Sequence, residues 1–267
     1  MLRGMEGIIR SVRLSSPETD IIMLHFADPD KSAVISHGQR PEVISIHEKV
    51  AEHYSITSLD LAQEVAERIH AGEFTWEKDF VDLHPSPFGQ ELYARSIKKL
   101  LIDAWSEQIC KNQQLISKNV PEPLDEKCYC TGKLVQPSCA EPDTQWIYHK
   151  NWQPADTAAA RAGFAGIPVL ESAVESAELV FNFSGSAVGL FVLSGPDAGA
   201  VEYSVDGGLY AARDLFTQWS ANLHLPWTVM LYAGLENTRH VLRLRAAKSE
   251  KNKKEKQTLR IAYFLVN

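Results

Sequence analysis

Hydrophobic positions in the first 110 residues follow two rhythms. Residues 21–26 (IIMLHF) are a short apolar run, the pattern of a strand buried on both faces of a parallel sheet. A second short strand reads at 56–61. Between them, residues 41–54 keep the helical period, with Val43, Ile46, His47, Val50 and Tyr54 on one stripe. Asp60 then stands where a helix running to His70 needs its cap. Gln63 is placed for the reciprocal bond, and Leu61, Val65 and Ile69 share a face. Pro87 suits a first helical turn, and Leu92, Ile97, Leu100, Leu101, Ala104 and Trp105 mark an amphipathic helix to about Gln108. With a helix-like start at 6–14, the order α-β-α-β-α predicts an α/β class with a doubly wound parallel sheet. Such a domain usually has about five strands, so residues 1–111 read as a truncated α/β domain, the second half of a whole one.

Beyond it the pattern changes. Residues 112–145 are polar and carry Pro121, Pro123, Pro137 and Pro142, which predicts a linker. From 146 to 267 the chain reads as many short strands, clearest at 179–183, 188–193, 201–205, 229–232, 241–245 and 259–266. Asp206-Gly207-Gly208 supplies a turn. This spacing predicts an all-β sandwich or jelly roll. Residues 248–256 (KSEKNKKEK) lie between two strand runs and predict a solvated hairpin tip, since Glu250 and Glu255 interrupt the lysines.

Composition adds mainly exclusions. The 45% hydrophobic and 23% charged residues are those of a globular protein, and the net charge of -7 predicts no nucleic-acid partner. No apolar run reaches membrane-spanning length, and residues 1–12 lack a signal-peptide core. Taken from its stated start the chain is cytoplasmic; a start further upstream would allow a secreted or periplasmic protein. Cys110, Cys128, Cys130 and Cys139 lack metal-site spacing and read as incidental, so neither a cofactor nor a metal is expected.

The candidate chemistry centres on residues 82–93 (DLHPSPFGQELY). His84 can shuttle protons near neutral pH, and a carboxylate such as Asp82 can fix its tautomer. Two residues apart in an extended loop they point to opposite sides, so a turn must bring them together. Asp79 is the second choice of acid. The plain alternatives are a helix-capping histidine and solvent-facing turn acids. His25 and Asp28 end the first strand on the side where α/β folds place ligands, but a strand-end turn is the better explanation of them. His47 and His53 read as packing or surface residues. No serine lies in a G-x-S-x-G elbow, and Ser184 and Ser186 read as strand or turn residues. Trp219, Trp227, Tyr210 and Tyr203 are either a sugar-stacking platform or sandwich packing.

The stretch DLHPSPFGQELYARSI resembles the last motif block of the SGNH (GDSL-type) hydrolases, esterases on a flavodoxin-like fold. That block supplies the family's catalytic acid and histidine. His84 matches the histidine; the acid's usual place, three residues earlier, holds Val81, and the available acid is Asp82. The resemblance covers about residues 1–108 and only the family's C-terminal half. Its Gly-Asp-Ser nucleophile block and its Gly and Asn oxyanion blocks have no counterpart here. FSGSAVGLFVLSGPDAGAVEYSVDGG and WSANLHLPW look like the sandwich appended to some SGNH enzymes of acetylated polysaccharides. The resemblance implies a carbohydrate acetylesterase lacking its serine, inert in isolation, with a small-molecule or polysaccharide acyl ester as substrate. A non-enzymatic carbohydrate-binding sandwich with a vestigial α/β remnant is the alternative. Complementation by a separately translated N-terminal fragment is a third reading.

Overall fold

Alternate residues of a strand face opposite ways, and the first unit is organised around that alternation. The structure, a computed structural model, describes residues 1–106 and 117–267 and divides into Met1–Cys130 and Thr131–Asn267. Strand β1 (Ile22–Leu24) runs parallel to β2 (Thr57–Leu59), with Ile22 opposite Thr57 and Leu24 opposite Leu59. Met23 packs to one side with Ile9 of α1 (Leu2–Ser15), Val50 and Ala51 of α3 (Glu42–His53), Tyr54 and Ile56. Leu24 and Leu59 pack to the other, against Ile35 of α2 (Pro29–Ser36), Leu61 and Val65 of α4 (Leu61–His70), and Leu92 and Tyr93 of α5 (Pro87–Ser106). The unit is thus α/β, with helices on both faces of the sheet.

Asp60 caps α4 as expected, accepting from the Gln63 amide at 3.0 Å. The reciprocal bond is absent, because the Gln63 side chain donates to Glu67 instead (2.7 Å). Helix α2 was not expected. It buries only Ile35, so no apolar stripe announces it; Pro29 and the Asp28 side chain, which accepts from the Lys31 amide, start it. The expected continuation of α5 to Gln108, the side chain of Trp105 and Cys110 lie outside the described residues.

The stretch read as a linker is divided between the units. Glu6, fully buried on α1, accepts from the Leu124 amide (2.5 Å), the Asp125 amide (3.0 Å) and the Tyr54 hydroxyl (2.7 Å). Val120 and Leu124 join the α1–α3 core. Further on, β3 (Lys133–Val135) pairs with the strand at Leu259–Val266, and β4 (Glu141–Pro142) with β8 (Glu178–Ser194). Polar composition concealed this, because one buried carboxylate and a few backbone bonds anchor the segment.

The second unit is an antiparallel sandwich, apart from a short parallel pairing of β6 (Ala159–Ala160) with β11 (Leu223–Ala247). Two long strands, β8 (Glu178–Ser194) and β11 (Leu223–Ala247), pair along nearly their whole length. Each was expected as two short strands; instead each passes from one sheet to the other. The first half of β8 and the second half of β11 join β9 (Ala200–Val205) and β10 (Ala211–Asp214). The second half of β8 pairs with β12 (Leu259–Val266), which continues to β7 (Val169–Ser172) and β5 (Ile147–His149). Phe181 and Phe264 stack across the interior, ring centroids 4.0 Å apart. Val205-Asp206-Gly207-Gly208 turns as read, with positive φ at Asp206 and Gly207 and the Gly208 amide bonded to the Val205 carbonyl.

The lysine-rich segment is not a hairpin tip. Strands β11 and β12 both flank β8, so residues 248–258 cross over between non-adjacent strands. Buried Asn252 fixes this crossing by donating to the carbonyls of Pro196 (3.0 Å) and Ala198 (2.9 Å).

Candidate functional site

The His84 loop starts from a fully buried anchor. Phe80 packs between Trp76 (5.0 Å between centroids), Tyr93 (5.4 Å) and Phe74 (6.1 Å). It ends a wide helical turn, Trp76–Phe80, capped where Thr75 Oγ1 accepts from the Lys78 amide. The Phe80 carbonyl then accepts from both Asp82 N and Ser86 N, each at 3.0 Å. The first bond closes a γ-turn that holds Val81 at φ +78°, a conformation that strains a β-branched residue. The second pins the far end of the loop, and Ser86 also bonds the Asp79 carbonyl through its hydroxyl. Gly89 permits the close return of the chain: a Cβ there would lie 2.7 Å from Pro85 Cβ. Pro87 opens α5 as the sequence suggested.

Residues 81–84 are therefore held out in solvent by clamps at both ends. His84 is exposed, and no hydrogen bond joins it to any described residue. The γ-turn that forms lies before both residues, at Val81, and no hydrogen bond or ion pair joins Asp82 to His84. One oxygen of Asp82 accepts from the next residue's amide, Leu83 N, at 2.5 Å. Asp79 is also engaged, accepting from Thr75 N at 2.7 Å. The order nucleophile, base, acid is absent among the described residues.

The other candidates fall in structural roles. His25 is buried, with Nε2 2.6 Å from Glu48 Oε1, and lies 6.0 Å from the His47 ring. Burial and the neighbouring His25 hold the His47 pKa below its usual value. Asp28 caps α2; burial pushes its carboxyl up, but the Lys31 ammonium and amide outweigh that and hold it below the usual range. His53 binds the Glu122 carbonyl (2.7 Å). Ser184 and Ser186 lie in β8, and the Ser186 amide donates to the Asn267 carbonyl. Burial, then its neighbour Cys130, pushes the Cys128 thiol up to about 11, which fits a neutral packing residue.

Of the proposed aromatic platform, Tyr203 is in the sandwich core, edge-on to Tyr232 at 5.6 Å. Tyr210 lies under the Arg245 guanidinium at 4.2 Å, while Trp219 and Trp227 are exposed.

Sequence spacing missed a polar cluster in the second unit. Asp156, Asp197 and His224 bring ligand-type atoms within 4.8 Å of one another. Their existing bonds do not fit a metal site. Arg260 donates to both oxygens of Asp197 (2.8 and 2.7 Å) and to Glu171 (2.7 Å), and His224 Nε2 is 2.9 Å from Asp156. His224 Nδ1 has no hydrogen-bond partner and faces Gly195, where a Cβ would be only 2.2 Å away. A cation entering here would meet a guanidinium already chelating one ligand. The cluster fastens residues 152–167 over the outer face of the sheet, where Trp152, Phe164 and Ile167 pack on Phe191, Leu193 and Ala262.

An α/β unit followed by a β-sandwich defines the class. No protein-family model matches the sequence. No curated protein matches it either. Among solved structures, the chain is similar to a two-domain esterase (CEX) active on acetylated mannans. The TM-score is 0.71 at 16% identity, covering 99% of this chain and 68% of that one. The same esterase co-crystallised with mannopentaose gives a TM-score of 0.71 at 18% identity, covering 99% and 67%. At these identities the likeness is one of fold.

Proposed function

We propose that the chain is the histidine-bearing part of an SGNH-type carbohydrate ester hydrolase, with an acyl ester on a polysaccharide as substrate. The observation that carries this reading is the His84 loop: an exposed, unbonded histidine clamped at the end of an α/β layer that precedes a sandwich. The fold likeness to an acetylated-mannan esterase supports it. In such a reaction a serine hydroxyl attacks the ester carbonyl. His84 takes the hydroxyl proton and returns it to the departing sugar oxygen, and water then releases the acyl group by the same route. Asp82 serves as the acid once its carboxylate leaves Leu83 N and turns to the imidazole.

No described serine bonds His84, so the chain alone is expected to show no p-nitrophenyl acetate turnover beyond that of free imidazole. Turnover that disappears in His84→Ala would overturn this expectation. A second reading, a glycan-binding sandwich without catalysis, is favoured by the exposed indole of Trp219, 64% accessible. It predicts retardation of the chain on a mannan affinity gel, lost in Trp219→Ala; migration unchanged by either the gel or the substitution counts against it.

A further inference from the structure

We propose that Cys128 and Cys130 are a thiol–disulfide exchange site, oxidised to an internal disulfide by a small disulfide such as oxidised glutathione. The proposal is independent of the ester-hydrolase reading. Both residues are thiols, they flank Tyr129 where the chain bends, and their sulfurs are in hydrogen-bonding contact. Two residues apart, their Cα atoms span at most about 7.6 Å, and the bend shortens this toward the range a disulfide bridges. Helix α1 holds the bend. The Tyr129 amide donates to the Arg3 carbonyl (3.0 Å), and the Ser11 hydroxyl to the Cys130 carbonyl (2.9 Å). A Cβ on Gly7 would lie 2.6 Å from the Tyr129 carbonyl carbon, so the two backbones touch there. A metal is the other partner such a pair could serve. Among the described residues, however, no His, Cys, Asp or Glu joins them in a set of three ligands, and zinc's tetrahedron would stay half filled.

Exposure assigns the roles. Cys130 is half-buried, with the Arg10 guanidinium in hydrogen-bonding contact with its sulfur, whereas Cys128 is buried. Reactive cysteines lie partly exposed beside such cations. Cys130 attacks one sulfur of the reagent, its proton passing to the glutathione thiol that leaves. Cys128 then attacks Cys130 Sγ in the mixed disulfide, its proton passing to the second glutathione. The cysteines lose two electrons and two protons, and the reagent gains them. Burial, then Cys130, raises the Cys128 thiol, and the second cause disappears once Cys130 carries glutathione. Burial remains, so the second step is the slow one and accelerates with rising pH. The ring spans only residues 128–130 and constrains the unfolded chain little, which suits a reversible modification and not a structural brace.

The test treats the full folded chain with oxidised glutathione, blocks the remaining thiols with N-ethylmaleimide and digests with trypsin. Residues 128–133 (CYCTGK) emerge as one peptide holding both cysteines. Its mass is expected to be lower by two hydrogens, with no maleimide attached, and to return to that of the dithiol after dithiothreitol. Exposed Cys139, in a different peptide, should stop at the glutathione adduct. Cys128→Ser should leave Cys130 as that adduct, roughly tenfold more abundant than in the native chain, and Cys130→Ser should slow modification of Cys128 roughly tenfold. Three results on the native chain would each overturn the proposal: glutathione accumulating on Cys130, both cysteines still open to maleimide, or a disulfide linking two chains. Closure at the same rate in urea would also overturn it, since the bend held by α1 would then contribute nothing.

Discussion

The sandwich and the α/β unit bury their apolar residues in opposite ways. In the sandwich, two long strands belong to both sheets and enclose one main core, from Leu179 and Phe181 through Leu244 to Phe264. Its outermost strands, β10 and β5, are only four and three residues long, so little edge is left open. In the α/β unit, three-residue strands separate two smaller clusters, and β1 ends the sheet with an apolar strand. The contrast teaches that rigidity and candidate chemistry sit apart. The better-sealed unit pairs its buried Arg260 with Asp197 and Glu171, whereas the less-sealed unit carries an exposed histidine with no bond to satisfy it.

The sharpest challenge to this contrast is Phe264→Ala. Losing the stack on Phe181 should lower sandwich stability by about 4 kcal/mol, a typical loss for a buried aromatic. In urea unfolding followed by residue-resolved amide exchange, β8 and β12 should shift while α4 holds; a common shift of both units would erase the distinction. Next is Arg260→Ala, which strands Asp197 and Glu171 beside the outer core. Burial pushes Asp197 up, yet Arg260 holds it below the usual carboxylate range, and removing a partner from such a pair costs about 3 kcal/mol. A midpoint unchanged in denaturant titration would show that residues 152–167 need no fastening.

Smaller effects sharpen the other side. Asp60→Ala removes the α4 cap and should weaken that helix by about 1 kcal/mol, read as faster exchange of its first-turn amides with β8 unaffected. Least of all is a pH effect on the turn at Asp206. The Glu236 carbonyl and the Asp206 carboxylate hold the His240 pKa above its usual value, and His240 in turn holds Asp206 below its own. The paired state is lost as pH falls through the lowered Asp206 value, and lost again as pH rises through the raised His240 value. The Tm difference between the native chain and Asp206→Asn should therefore be widest from about pH 4.5 to 6.5 and shrink above that. A difference that grows toward pH 8 would contradict the sign.

The sequence pattern was legible where side-chain periodicity matches burial. The last strand, 259–266, was read to the residue, and the Asp60 cap and the Pro87 start were found through local chemistry. Helix α2 escaped because only Ile35 points inward. The long strands were split because the turn-like FSGS and AGLEN stretches lie inside them, where the β8–β11 register shifts between Ala233 and Thr238. The cluster of Asp156, Asp197, His224 and Arg260 joins residues up to 104 positions apart, and no local motif encodes such a meeting. His84 was visible for the opposite reason: its neighbours in sequence are also its neighbours in space. That same locality could not reveal that Asp82 turns to its own chain.

The place of β12 bears on how the protein is made. Residues 259–266 lie between β8 and β7, in the interior of their sheet, and the Asn267 carbonyl closes against Ser186. During synthesis, residues 131–258 of the second unit emerge before the strand that seals Phe181 and Leu190 exists. Until then the nascent sandwich exposes a long unpaired edge of β8 and an open apolar face, the state in which growing chains are most prone to associate wrongly. Chaperone demand should therefore be highest while the sandwich still lacks β12 and fall once that strand is threaded into place.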